Sequence, residues 1–153
     1  GLGDVYKRQI INSLYLTPNA LEDLVRARYE RYKIVEEKEQ RAEEYRTEDA
    51  DVIVVAYGAS SRVARSAVNK AREAGKKVGL IRPITLWPFP KDAIKRAADH
   101  AKELLVVEMS MGQMVDDVRL AAECRVPVHF YGRTGGVIPT PKEILGEIDK
   151  LLK

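Results

Sequence analysis

The chain has 153 residues, of which 45% are hydrophobic and 32% are charged, and its formal net charge is +3. Such a composition is typical of a globular protein of about one domain, and it excludes a disordered or fibrous chain. Lysines and arginines are interleaved with acidic residues rather than gathered in a stripe, which argues against nucleic acid as a partner.

The first 50 residues divide into two parts. Residues 1–9 show no periodicity and join abruptly to the segment that begins at Ile10, so we interpret them as an assembly scar outside the fold. Residues 10–50 are predicted to form an extended segment and a long amphipathic helix that begins at Thr17-Pro18 and extends through charged residues to Arg46. Because the apolar stripe is too short for several heptads, a solvated linker helix is favoured over a coiled-coil partner.

From Asp51 onward, short apolar runs alternate with helical patterns, which is typical of βαβ units and a parallel sheet. We expect residues 51–153 to form a three-layer, doubly wound α/β domain. The run from Val52 to Ala56 is apolar on both faces and predicts a central strand, whereas the last run alternates more and predicts a strand nearer an edge. The expected strands are residues 52–56, 78–81, 104–107 and 126–131.

Helix-terminus signals stand between and after these strands. Ser60 or Ser61 is the expected N-cap of the first helix, and Gly75 is expected to end it in a left-handed turn. The last helix carries an N-cap, a first-turn proline and a capping-box glutamate, which are Thr140, Pro141 and Glu143.

The carboxyl ends of parallel strands are where such sheets bind ligands. The turn at Gly58 matches neither a dinucleotide fingerprint nor a Walker A loop, so a plain helix cap is favoured over a small-anion site. Arg62 stands where a G-x-S-x-G nucleophile elbow needs its second glycine, which argues against a serine hydrolase. Candidates for the strand-end rim or a small-anion site are Gly58, Ser60, Ser61, Glu108 and Gln113.

Glu108 ends a predicted strand, but the sequence identifies no second acid or base with a suitably shifted pKa beside it. An ion pair or a helix-terminus contact is therefore the favoured role. His100 and His129 lie on a predicted helix and a predicted strand, where packed or surface histidines are expected. We therefore predict no catalytic residue and no metal ligand in this chain.

Other strand-end residues favour contact with a partner protein. Trp87 and Phe89 stand between prolines and are anchors of the kind that form interface hot spots. Flexible thioethers suit either a core or an adaptable contact surface, and a contact surface is favoured here. The methionines concerned are Met109, Met111 and Met114.

Cys124 is the single cysteine, so the chain alone cannot form a disulfide or a four-cysteine iron–sulfur or zinc site. The apolar runs are far shorter than the roughly 20 residues that cross a bilayer, and no signal peptide is visible. We expect a cytoplasmic protein with no membrane partner.

Five stretches of sequence carry a resemblance to a known family: residues 11–16, 56–58, 79–90, 107–114 and 130–141. Together they closely resemble the C-terminal part of the α-type subunit of 2-oxoacid:ferredoxin oxidoreductases, nearest to the 2-oxoisovalerate (3-methyl-2-oxobutanoate) branch. The matched part of that subunit is a transketolase C-terminal-like domain. The family commonly has Gly-Thr-Ser where this chain has Gly58-Ala59-Ser60, so no role of a hydroxyl is assigned to residue 59.

The resemblance implies a complex that decarboxylates a 2-oxoacid on thiamine diphosphate with Mg²⁺, passes electrons through iron–sulfur clusters to ferredoxin, and releases an acyl-CoA. In that family the pyrimidine-binding domain lies upstream of the matched part, and another subunit binds the diphosphate. The resemblance therefore implies that this chain alone binds none of these cofactors and is inactive. Its expected partners are the thiamine-diphosphate-binding subunit and, indirectly, ferredoxin. The resemblance adds four rim or interface residues, Arg133, Thr134, Gly135 and Gly136.

Two alternatives stay open from the sequence. The C-terminal domain of a transketolase or of a 2-oxoacid dehydrogenase β subunit shares the fold and a similar Arg-x-x-Thr-Leu-x-Pro turn, although residues 108–114 fit the ferredoxin-linked family better. The other alternative is a free-standing small-anion-binding module, which rests on the Gly58 turn and on the glycines after Arg133.

Overall fold

The computed structural model describes residues 14–152. The chain divides into two compact units between Val35 and Glu36. Residues 1–9, which we interpret as a scar, lie outside the described residues, as does the start of the extended segment. Helix α1 spans Pro18–Lys38, and none of its residues is buried, which agrees with the solvated character predicted for it.

The elements after α1 build an α/β domain. In chain order they are β1 (Ala42–Tyr45), β2 (Val52–Ala56), α2 (Gly58–Glu73), β3 (Val78–Pro83), α3 (Lys91–Ala98), β4 (Glu103–Glu108), α4 (Met114–Ala122), β5 (Val128–Gly132) and α5 (Pro141–Leu151).

The five strands form one sheet in the order β1-β3-β2-β4-β5. Strands β3, β2, β4 and β5 run parallel to one another, and β1 is antiparallel to β3 at one edge. All residues of β2 are buried and β2 lies at the centre, as its uninterrupted apolar run predicts. Strand β5 forms the other edge, which confirms the prediction from its alternating pattern.

Two hydrophobic clusters cover the two faces of the sheet. Successive residues of a strand point to opposite faces, so Ile53 and Val55 pack with α3 and α4, whereas Val54 and Ala56 pack with α2 and α5. The result is the three-layer, doubly wound arrangement with a mainly parallel sheet that the sequence predicts.

Strand β1 is a feature that the sequence prediction missed. The stretch predicted as helix as far as Arg46 leaves α1 at Lys38 and pairs with β3 from Ala42 to Tyr45. The prediction is wrong here because backbone pairing along an open sheet edge outweighs the helical preference of charged residues. Arg46 itself has a φ of 53°, which no right-handed helix contains.

The start of α2 also differs from the prediction. The helix begins at Gly58, its N-cap position is Tyr57, and no side chain caps it. Gly58 adopts a φ of 56°, which turns the chain into the helix before either predicted serine cap is reached. The hydroxyl of Ser61 instead donates a hydrogen bond to the Gly58 carbonyl at 2.8 Å. The predicted left-handed turn at Gly75 is confirmed by its φ of 77°.

Helix α5 begins with the predicted capping box. The Glu143 backbone N–H donates to Thr140 Oγ1 at 3.2 Å, and the Thr140 backbone N–H donates to Glu143 Oε2 at 2.7 Å. The bond from the Thr140 backbone is the main reason that the pKa of the Glu143 carboxyl lies below its ordinary value of 4.5, and the nearby Arg133 guanidinium acts in the same direction.

Glu143→Gln is therefore expected to lower the melting temperature at neutral pH. Because the folded-state pKa of Glu143 is below its unfolded value, the stabilisation is present above the ordinary value of 4.5 and is lost as the pH falls through the folded-state pKa. In thermal unfolding measured from neutral pH to about pH 3, the difference in melting temperature between wild type and variant should therefore shrink as the pH falls below the ordinary value of 4.5. A gap of constant size across the series would contradict this role, and Glu147→Gln on the same helix is the control.

Candidate functional site

The carboxyl ends of β2, β3, β4 and β5 lie at one edge of the sheet because these strands are parallel. The loops there are residues 58–62, 82–90, 108–113 and 132–140, and we call them together the rim. Glycine, proline and apolar residues dominate these loops. All of the sequence-predicted site residues except Met114, at the start of α4, fall within the rim.

Glu108 is the carboxylate at the end of β4, and only 1% of the residue is exposed. Its two oxygens accept hydrogen bonds from the backbone N–H groups of Gln113, Met114 and Val115 at distances between 2.9 and 3.3 Å. The hydroxyl of Ser110 donates a further bond at 3.0 Å. These backbone donors are the ones that a helix start leaves without intrahelical partners.

The helix-terminus role predicted for Glu108 is therefore confirmed, and the ion-pair alternative is not observed among the described residues. Buried and engaged by four donor groups, the carboxylate is out of reach of a substrate. Sequence reasoning missed Ser110, whose hydroxyl both donates to Glu108 and accepts from the Gly112 backbone N–H at 3.1 Å. The network fixes residues 109–113 against the first turn of α4.

Gly132 makes this arrangement possible at the end of the neighbouring strand. A Cβ atom at this position would lie 2.3 Å from the Ser110 carbonyl oxygen and 2.5 Å from the Phe130 ring. The Arg133 backbone N–H then donates to the Glu108 carbonyl oxygen at 3.1 Å. The loop after β4 and the loop after β5 are thus packed against each other through a glycine.

The outer surface of the rim is apolar. Met111 is 82% exposed and Trp87 is 57% exposed. Single exposed apolar side chains are common on folded domains, whereas several on neighbouring loops are typical of surfaces that contact other molecules. We call the exposed large apolar residues of the rim the apolar rim surface, which consists of Ile84, Leu86, Trp87, Met109, Met111, Val137 and Ile138.

The predicted contact residues divide by their exposure. Thr134, Gly135 and Gly136 are exposed, as are the three side chains Trp87, Met109 and Met111. Arg133 is half-buried, and its guanidinium donates to Glu143 Oε1 at 3.0 Å.

Two of the predicted contact residues belong wholly or partly to the core. Met114 is only 3% exposed, so its prediction as a contact residue is wrong. The reason is that α4 begins at Met114, which directs this side chain into the core cluster with Val115 and Val118. Phe89 is half-buried and packs against the same cluster.

The small-anion candidates do not converge on one point. Gln113 donates its backbone N–H to Glu108, so these two contact each other rather than a ligand. Ser60 and Ser61 are buried in the first turn of α2. Ser61 does line a separate polar pocket of about 410 Å³ together with Glu43, Arg62, Arg65 and Arg82.

A second depression of about 440 Å³ lies beside Trp87 on the side of α3 and α4. Its lining includes Leu120 and an ion pair between Lys95 and Glu123 at 2.7 Å. Burial raises the pKa of Asp117 in this lining, and the nearby carboxylates of Asp116 and Glu108 add to the effect. The lining as a whole combines apolar and charged side chains.

Residues 14–152 contain no group of three or more His, Cys, Asp or Glu side chains arranged to hold a metal ion. Cys124 is exposed and is the only thiol of the chain, so its donor set does not fit an iron–sulfur cluster. His100 contacts the Thr47 carbonyl oxygen at 2.8 Å, and His129 contacts Glu103 at 2.7 Å. Both histidines have the structural role that was predicted.

Within the described part of the chain, no helix has the length and apolarity that a membrane crossing requires.

The doubly wound sheet, together with a rim that presents apolar residues, defines the class of protein. The class is that of α/β domains with a doubly wound, mainly parallel sheet and exposed apolar side chains at the strand ends. The family described as pyruvate:ferredoxin oxidoreductase core domain II matches residues 50–144. The chain belongs to this family, which confirms the resemblance read from the sequence.

Among curated relatives, the ketoisovalerate oxidoreductase subunit VorB of Methanothermobacter thermautotrophicus is 45% identical over 92% of this chain and 40% of its own length. The 2-oxoglutarate synthase subunit KorA of Methanothermobacter marburgensis is 44% identical over 67% of this chain and 27% of its own length. The chain thus spans about two fifths of the ketoisovalerate relative.

Two solved structures share the fold. The 2-oxoglutarate:ferredoxin oxidoreductase from Magnetococcus marinus, with 2-oxoglutarate, coenzyme A and succinyl-CoA bound, matches 91% of this chain and 24% of its own with a TM-score of 0.78 and 24% identity. A split gene transketolase, an inactive β4 tetramer, matches 73% of this chain and 41% of its own with a TM-score of 0.60 and 18% identity. At these identities the likeness concerns the fold alone.

Proposed function

We propose that this chain is a non-catalytic, subunit-contacting domain of a cytoplasmic 2-oxoacid:ferredoxin oxidoreductase that acts on a branched-chain 2-oxoacid such as 2-oxoisovalerate. The observation that carries the proposal is the 45% identity to a ketoisovalerate oxidoreductase subunit over 92% of the chain. The 2-oxoglutarate synthase relative, by comparison, matches only 67% of the chain.

In this proposal the parent complex converts a 2-oxoacid and CoA to an acyl-CoA and CO₂ while ferredoxin is reduced. Thiamine diphosphate with Mg²⁺ and iron–sulfur clusters would supply the decarboxylation and electron-transfer chemistry. A single cysteine does not fit an iron–sulfur cluster, and residues 14–152 hold no group of three or more His, Cys, Asp or Glu side chains placed to bind a metal ion. Other parts of the complex would therefore hold them, and no catalytic step is assigned to this chain.

The role left to this chain is to hold a contact surface in a fixed shape. Glu108 fixes the loop that carries Met109 and Met111. The Thr85 hydroxyl accepts from the Arg41 backbone N–H at 3.0 Å and thereby fixes the loop before Trp87. Loops that are already ordered lose little conformational entropy on binding, which favours a stable complex.

The partner proposed for the apolar rim surface is the thiamine-diphosphate-binding subunit of the complex. Several large apolar side chains exposed on neighbouring loops are the composition found at the centre of protein interfaces. Ferredoxin, which must dock and leave in each cycle, is expected to bind elsewhere in the complex and to be an indirect partner of this chain.

The transketolase alternative is supported by fold likeness alone, at 18% identity. The greater identity to the ketoisovalerate oxidoreductase subunit, over 92% of the chain, favours the ferredoxin-linked function.

Met111→Ser is expected to weaken binding of the thiamine-diphosphate-binding subunit about tenfold, because it removes an exposed apolar contact from the rim. Because Met111 is 82% exposed, the melting temperature of the variant should stay close to that of the wild type. Leu120→Ser is the matched control, since Leu120 is 77% exposed on α4 outside the rim. Calorimetric titration with the partner subunit measures both variants, and equal losses of affinity would contradict a contact centred on the rim.

A further inference from the structure

Three arginine side chains line one pocket of about 410 Å³ on the α2 side of the sheet. Arg62 and Arg65 belong to α2, and Arg82 lies near the end of β3. The remaining lining residues are Glu43 of β1 and Ser61 of α2. Every lining residue is polar or charged, so the pocket suits a charged ligand rather than an apolar one. We call it the arginine pocket.

The charges of the arginine pocket do not cancel. The Glu43 carboxylate is shared, since one oxygen contacts Arg65 and the other accepts from Arg82 Nη1 at 3.2 Å. Arg62 forms no ion pair with any side chain of residues 14–152. Three guanidinium groups against one carboxylate leave an excess of two positive charges in the pocket.

Part of the pocket is held in place before any ligand binds. The Arg65 guanidinium lies 4.5 Å from the centre of the Tyr45 ring, and the Tyr45 hydroxyl donates to Asn69 Oδ1 at 3.0 Å. Stacking on an aromatic ring orients a guanidinium without neutralising it. Arg65 is thereby held at the pocket that Arg62 and Arg82 also line.

The contacts of Glu43 show that Arg65 and Arg82 are placed to bind the oxygens of an anion. The hydrogen bond from Arg65 is the main reason that the pKa of Glu43 lies below its ordinary value. The pocket thus already favours an anion, and its internal carboxylate uses only part of the donors of Arg65 and Arg82. Guanidinium groups bind the oxygens of phosphate in the same forked geometry as those of carboxylate.

We propose that the arginine pocket binds a small phosphate-bearing anion, with Arg62 as the uncommitted donor and with Glu43 as an internal competitor for Arg65 and Arg82. The site is a property of this chain and goes beyond the subunit-contact role. Because two of the three arginines are shared with Glu43, the resting affinity is modest, and neutralising Glu43 increases it.

The test is calorimetric titration of the full 153-residue chain with pyrophosphate at low ionic strength, where surface electrostatics are least screened. Arg62→Gln is expected to weaken binding about tenfold, because it removes one charge-assisted donor. Glu43→Gln is expected to strengthen binding about threefold, because it frees two arginines from their competitor. The Arg62 guanidinium has no ion pair within residues 14–152 to lose, so its variant should fold as the wild type does.

Two controls repeat the charge changes elsewhere. Arg119→Gln removes a positive charge on α4, where Arg119 pairs with Asp116, and Glu44→Gln removes a negative charge from β1, where Glu44 pairs with Arg96. Both should keep the wild-type affinity within about twofold. Absence of pyrophosphate binding to the wild-type chain would overturn the proposal, as would equal effects of the controls and the pocket variants. Neither result bears on subunit assembly, which the Met111 experiment tests separately.

Discussion

Glu108→Ala is expected to destabilise the chain by about 3–5 kcal/mol, the largest effect we predict for a single side chain. The substitution leaves the backbone N–H groups at the start of α4 and the Ser110 hydroxyl without their acceptor in a buried position. Such donors cannot recover hydrogen bonds with water unless the loop opens. Chemical unfolding of the variant and the wild type measures the difference in free energy of unfolding.

Two further variants make the result specific. Glu108→Gln keeps the volume but exchanges one acceptor oxygen for a donor, so a loss of about 2–3 kcal/mol is expected, and it remains informative if the alanine variant does not fold. Glu48→Ala removes an exposed carboxylate and should change stability by no more than about 0.5 kcal/mol. If Glu108→Ala were as mild as Glu48→Ala, the network at the start of α4 would not be the anchor of the rim.

Gly132→Ala is expected to cost about 2–4 kcal/mol, because even one methyl group overlaps the backbone of the adjacent loop. The added carbon would lie 2.3 Å from the Ser110 carbonyl oxygen, and backbone atoms cannot move aside as a flexible side chain can. The overlap should also displace residues 109–113 and weaken any contact made by Met109 and Met111.

The same substitution at Gly146 provides the control. This glycine lies inside α5 with open space where its Cβ would be, so alanine should stabilise the chain by up to about 1 kcal/mol. Thermal or chemical unfolding of both variants compares the two positions directly. Changes of the same sign would show that helix propensity and not close packing governs the effect at Gly132.

The features of the fold that were predicted correctly rest on local signals. The uninterrupted apolar run of β2 requires cover on both faces, and the capping box at Thr140 and Glu143 specifies a helix start through bonds three residues apart. Strand β1 has no such signal. Its Glu43 and Glu44 favour helix in isolation, and they become strand because they pair with β3 and form ion pairs with Arg82 and Arg96.

The site could be predicted only in part for the same reason. A glutamate between a strand and a helix start is enough to suggest the terminus role of Glu108. The arginine pocket is not visible in the sequence, since Glu43 and Arg65 are 22 residues apart and Glu43 and Arg82 are 39 residues apart. The pairing of β1 with β3 places Glu43 beside Arg82, and the packing of α2 on the sheet brings Arg65 to Glu43.

The most direct test of the proposed function measures CoA-dependent reduction of ferredoxin by 2-oxoisovalerate, with the purified chain alone and with the thiamine-diphosphate-binding subunit added. Sedimentation of the same samples shows whether the two proteins associate. We expect the chain alone to give no turnover when thiamine diphosphate and Mg²⁺ are supplied, and to sediment as a complex with the partner subunit. Turnover by the chain alone, or its separate sedimentation in the presence of the partner, would contradict the proposed role.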